Sequence, residues 1–73
     1  MKTIQIVKNS DRCHVSVNSI PHKTFIYSNY PEKDESSKQA HALHDAKAEC
    51  FIQLAFCQRI GEDAAINTDI VTK

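Results

Sequence analysis

Two stretches decide the fold, Thr3-Ile4-Gln5-Ile6-Val7 and Arg12-Cys13-His14-Val15-Ser16-Val17-Asn18. Each alternates polar and apolar residues at period two, the signature of a half-buried strand. Ile4 and Ile6 share one face of the first, and Cys13, Val15 and Val17 share one face of the second. Asn9-Ser10-Asp11 between them is rich in turn formers, so the two strands make an antiparallel hairpin. A two-residue turn at Asn9-Ser10 sets Ile6 opposite Cys13 and Ile4 opposite Val15. A four-residue loop sets Ile6 opposite Val15 and Ile4 opposite Val17. Both registers keep the same apolar set on one face.

Working outward, Ser19-Ile20-Pro21-His22 reads as a second turn. Thr24 to Ser28, rich in β-branched and aromatic residues, reads as a third strand. Asn29-Tyr30-Pro31 ends the sheet, and residues 32–37 lead into a helix capped by Asp34 or by a serine. The helix runs over about 35–60, and Gly61, the one glycine, sits where a left-handed C-cap belongs. In the tail, 62–73, Ile66, Thr68 and Ile70 share strand parity, while a frayed end or a short helix are the alternatives. The expectation is an α+β fold: a three-stranded antiparallel meander (βββα, sheet about 3–28) packed against one long α-helix. A short C-terminal strand is an optional addition, and residues 1–73 form a single domain.

The 73 residues carry nine Lys plus Arg and nine Asp plus Glu, a balance that argues against a strongly charged partner surface overall. The distribution is uneven. Residues 1–23 hold Lys2, Lys8, Arg12 and Lys23 against Asp11, and residues 24–73 hold five bases against eight acids. No apolar leader core is visible, and the longest unbroken apolar run, Leu54 to Cys57, falls far short of a membrane span. Three cysteines without a CxxC pair suit reduced thiols packed as small core residues, hence a cytoplasmic protein. A core this small is often completed by a partner, and a homodimer is one way to do so.

At 100° per residue, Leu43, Ala46, Cys50, Leu54 and Cys57 form one helix stripe, which should pack on the sheet. The opposite face holds Asp45, Ala48, Glu49, Ile52 and Phe56. Ile52 and Phe56 lie one turn apart on the side expected to be wet. Large apolar residues beside acids make Asp45, Glu49, Ile52 and Phe56 the candidate partner-binding set. The competing reading is that residues 64–71 fold back and cover them.

Chemistry finds little purchase. His41 projects away from Cys50 and Cys57 around the helix, so these residues do not close one tetrahedral site, and no metal or cofactor is expected. His44 and Asp45 diverge, no serine sits in an elbow motif, and no glycine-rich loop could cradle phosphate, so no catalytic residue is assigned. Nucleic-acid binding is the alternative: Arg12, His14 and Lys23 could meet phosphates at the hairpin end, with Phe25 and Tyr27 sharing parity as stacking platforms. Strand-strand-strand-helix is also the closing half of a double-stranded-RNA-binding domain, and Lys38-Gln39-Ala40 to Lys47-Ala48 resembles its final helix. Here, however, Asp34, Glu35, Asp45 and Glu49 stand where that family concentrates lysines.

The opening strand Met1 to Ile6, the meander to Tyr27 and the helix Lys38 to Arg59 together resemble small phage-encoded inhibitors of bacterial defence, the anti-CRISPR proteins. The N-terminal layout is also similar to HicB-type antitoxins, without their DNA-binding tail. The first resemblance implies a non-enzymatic inhibitor that blocks a protein or ribonucleoprotein target, such as a CRISPR surveillance complex, by occupying its nucleic-acid-binding surface. No diagnostic motif defines that class, so it transfers no functional residue.

Overall fold

The computed structural model describes residues 1–73. β1 (Lys2–Lys8), β2 (Arg12–Val17) and β3 (Ile20–Ile26) form the antiparallel meander. A 3₁₀ turn (Tyr27–Asn29) leads to the single helix α1 (Glu35–Arg59), and two short strands follow, β4 (Ala64–Ile66) and β5 (Val71–Thr72). Both short strands run parallel to β1, so the sheet is mixed, in the order β3-β2-β1-β4, with β5 beyond β4 along the same edge of β1.

The hairpin takes the four-residue loop: Ile4 faces Val17 and Ile6 faces Val15. The Asn9 amide donates to the Arg12 carbonyl at 2.7 Å and closes that loop. The second turn lies earlier than the sequence suggests. Val17 pairs with Ile20, so the turn is Asn18-Ser19, and both residues have positive φ, 51° and 68°. That is the twist a two-residue hairpin needs, and Pro21 therefore sits inside β3 rather than in a turn. Proline is tolerated there because β3 is an edge strand, where a missing N–H leaves no partner unsatisfied. His22 is the extra residue of a bulge, between the pairs Val15–Lys23 and Ser16–Pro21.

β3 stops at Ile26, before the expected Ser28. The chain turns at Tyr27 because that side chain is drawn into the core, 1% exposed, where its hydroxyl donates to the Asn9 carbonyl at 3.1 Å. The helix begins after Asp34, whose carboxylate accepts from the Ser37 amide. It ends at Gly61, with φ +77°, as the Gly61 amide donates to the Gln58 carbonyl and the Glu62 amide to the Cys57 carbonyl. This paired closure is what a left-handed glycine makes available.

The core joins Ile4, Ile6, Cys13, Val15, Val17 and Tyr27 to Ala42, Ala46 and Cys50. From the helix, only small residues are buried among the apolar ones: Ala42, Ala46, Cys50 and Cys57. The buried stripe is rotated by roughly 50° from the expected one: Ala46, Cys50 and Cys57 are buried as expected, whereas Leu43 and Leu54 are only partly buried and Ala42 and Glu49 take their place. The rotation has a simple cause. Alanine and cysteine let the helix axis lie close to the sheet, and two leucines at the centre would hold it off.

The tail does fold back, but along the edge of β1 and not over the outer side of α1. Between β4 and β5, residues 67–70 bow outward, held by the Asp69 amide on the Asn67 side chain and by Gln5 Nε2 on the Asp69 carbonyl.

Candidate functional site

The outer side and C-terminal end of α1 hold the most exposed apolar surface of the helix. On the helix Phe51 is 66% exposed, Ile52 58% and Phe56 49%, and at its end Ile60 is 53% exposed. Ala48 and Ala55 lie between them, also exposed. The helix is thus inverted relative to an ordinary covering helix, with alanine and cysteine inside and phenylalanine and isoleucine outside. Part of the reason is length. Twenty-five residues of helix span about 37 Å, whereas a seven-residue strand reaches about 23 Å. The last turns of α1 run past the sheet, so Ile60 remains exposed although it lies on the sheet side of the wheel.

Two depressions flank this ridge. On the β4 side a hollow of about 310 Å³ lies between Lys47, Cys50 and Phe51 and the segment from Ile66 to Ile70. On the β2–β3 side a second, of about 330 Å³, lies between Phe56, Cys57 and Ile60 and the residues Val17, His22 and Lys2. Each is mainly apolar, each has a lysine among its lining residues, and neither is lined by a carboxylate.

Of the four candidate partner-binding residues, the structure keeps Ile52 and Phe56 exposed and engages the two acids with other side chains. Asp45 is half-buried and accepts a hydrogen bond from the Tyr30 hydroxyl at 2.8 Å. Glu49 is only 8% exposed. It accepts from Gln53 Nε2 at 2.7 Å and lies 3.9 Å from Lys23 Nζ. The sequence reading placed Glu49 on the wet face, and this is corrected by the same rotation that moved the buried stripe. As a result, the exposed residues of α1 between Ala40 and Ile60 include no acid, and their charges are Lys47 and Arg59, with His44 beside them.

The nucleic-acid set is likewise divided. Arg12 and His14 lie on the open face of the sheet, because their neighbours Cys13 and Val15 point to the helix. Lys23 pairs opposite Val15 and points to the helix side, beside Glu49 and 5.8 Å from the centre of the Phe25 ring. Arg12 is already held by Asp11, with contacts of 3.0 and 3.3 Å. Phe25 and Tyr27 belong to the core side, so no aromatic platform faces outward from the sheet. That face instead has a small polar hollow of about 180 Å³ lined by Gln5, His14, Ser16 and Lys73, among others.

His41 is engaged with Glu32, its Nδ1 lying 3.0 and 3.1 Å from the two carboxylate oxygens, and the Tyr30 ring packs against it at a tilt of 57°, with centroids 4.5 Å apart. Burial raises the thiol pKa of Cys13 and of Cys50, which keeps both as packed thiols and weak nucleophiles. No group of three or more His, Cys, Asp or Glu side chains converges in metal-binding geometry. No helix is long and apolar enough to cross a membrane.

Phe51 and Ile60 were missed by sequence reasoning. The signal for Phe51 was the i, i+4 spacing of Ala42 and Ala46, which marks the true inner stripe and leaves Phe51 opposite it, whereas Ile60 is exposed through the overrun of α1 past the sheet. Comparison with known proteins finds no matching family model, no similar curated protein and no similar solved structure.

Proposed function

We propose that this chain is a non-enzymatic protein-binding inhibitor that acts by occupying a surface of its target, in the manner of the small phage-encoded inhibitors it resembles. The target class is a bacterial defence complex that handles nucleic acid. One observation supports the reading above the rest: Phe51, Ile52, Phe56 and Ile60 are each about half exposed or more on a single helix. Large aromatic and aliphatic residues displayed together are the usual anchors of a protein interface, and truncating one such anchor typically costs about 2 kcal/mol. With Asp45 bound by Tyr30 and Glu49 buried beside Lys23, contact is made by the apolar ridge, without acids mimicking a nucleic acid.

The test is an affinity pull-down of the tagged chain from its host lysate, with and without nuclease, beside the variant Phe56→Asp. The expected result is one stoichiometric protein or nucleoprotein complex that survives nuclease. Phe56→Asp should lose it by about 30-fold or more in affinity while keeping the circular dichroism and melting temperature of the parent. If nucleic acid alone is recovered and nuclease removes it, the reading fails in favour of the open sheet face with Arg12 and His14. A lower mass in solution for the variant would instead mark the ridge as a dimer seam.

A further inference from the structure

The charge around the ridge says more than its apolar character. We infer that the outer face of α1 docks an acidic amphipathic protein element, an apolar stripe flanked by Asp and Glu. This rests on the protein-binding reading above and specifies the partner's chemistry.

Three observations converge on it. Every acid of the helix beyond Glu35 is partnered, the half-buried Asp45 by Tyr30 and the buried Glu49 by Gln53 and Lys23. The charges left on the exposed face, Lys47 and Arg59, are both basic. Both hollows beside the ridge are apolar and free of carboxylates, with Lys47 lining one and Lys2 the other. Lys2 is paired with Glu62 at 2.5 Å, which leaves Lys47 and Arg59 as the cations open to a partner. A hollow of about 310 Å³ accommodates a large apolar side chain, and Lys47 beside it suits a carboxylate one helical turn away on the partner.

The same arrangement argues against other occupants. In a second copy packed helix to helix, antiparallel about the ridge centre, Phe51 falls opposite Ile60 and Arg59 opposite Ile52. A parallel pairing sets Lys47 against Lys47 and Arg59 against Arg59. Neither arrangement supplies an acid to either cation, and like charges across a contact disfavour it. An anionic membrane would gain from only two cations, and two are too few to anchor an apolar face of this size stably. Ala48 and Ala55 between the large residues also give the face knobs and holes, relief that suits a packed side-chain surface.

The experiment uses the intact chain and two synthetic helical peptides of about 20 residues, long enough to hold a helix. Both carry the same leucine stripe and differ only in Glu or Lys at the flanking positions. Binding is followed by fluorescence anisotropy at low and high salt. The Glu-flanked peptide should bind about tenfold or more tightly than the Lys-flanked one, and the gap should narrow with salt. The double variant Lys47→Glu/Arg59→Glu should reverse the order, and Phe51→Ala should weaken both peptides. Equal binding of the two peptides, lost in Phe51→Ala, would overturn the acidic partner and leave the protein-binding reading standing. Binding of neither peptide overturns this inference, while the pull-down decides the broader reading separately. Capture by phosphatidylglycerol vesicles, or a dimer in sedimentation equilibrium that Phe51→Ala dissociates, would overturn it in favour of a membrane or a second copy.

Discussion

Tyr30 links three residues that no local pattern joins. Its hydroxyl donates to Asp45, and its ring lies on His41, which in turn holds Glu32. Burial comes first, and then the hydrogen bond to the Asp45 carboxylate, in pushing the Tyr30 phenol well above its ordinary pKa. Tyr27, the other tyrosine, is raised as well, chiefly by burial. The neutral phenol is thus the form the fold favours. Its stabilisation is complete below about pH 10, where the unfolded chain also keeps the proton, and is lost as pH climbs through the raised value. Tyrosinate absorbance should therefore rise later than in a model peptide and together with alkaline unfolding. Tyr30→Phe should lower stability by about 1 kcal/mol at neutral pH, measured by urea denaturation. At this scale the sequence was least legible. Asp45 looked like a free acid because its partner lies fifteen residues away in the chain, across the loop that precedes the helix.

The elements were more legible where a local rule sufficed. Period-two alternation located β1 and β2, and the single glycine marked the end of α1 because Gly61 alone can take φ +77° without strain. Pro21 misled, since its exclusion from sheets holds for central strands only. β4 and β5, of three and two residues, are too short to show a pattern and exist through their parallel pairing with β1. The Asn18-Ser19 turn carries a testable cost. Ser19 has a φ of 68°, where a Cβ is unfavourable, whereas asparagine at 18 tolerates it and its side chain also accepts the Thr3 amide. Ser19→Gly should raise stability by about 0.5–1 kcal/mol, as a higher urea midpoint with an unchanged slope. A fall in midpoint would show that the serine makes a contact worth more than its strain.

For the molecule as a whole, β1 is the centre, with β2 on one edge and β4 and β5 on the other. Native-state hydrogen exchange should find its slowest amides in β1 and β2 and earlier exchange in residues 64–72, whose strands have one neighbour and few buried side chains. If the tail amides matched β1, the tail would belong to the same cooperative unit. The free edge of the sheet bears on a different hazard. A chain that displays two phenylalanines to water and also offered an unbroken row of unpaired backbone groups along β3 would invite copies to add strand upon strand. Three features of β3 block that route: Pro21 has no N–H to donate, the bulge at His22 breaks the repeat, and Lys23 would stack charge on charge. The sticky surface is thereby confined to a helix, where contact calls for a complementary shape and does not propagate into fibres.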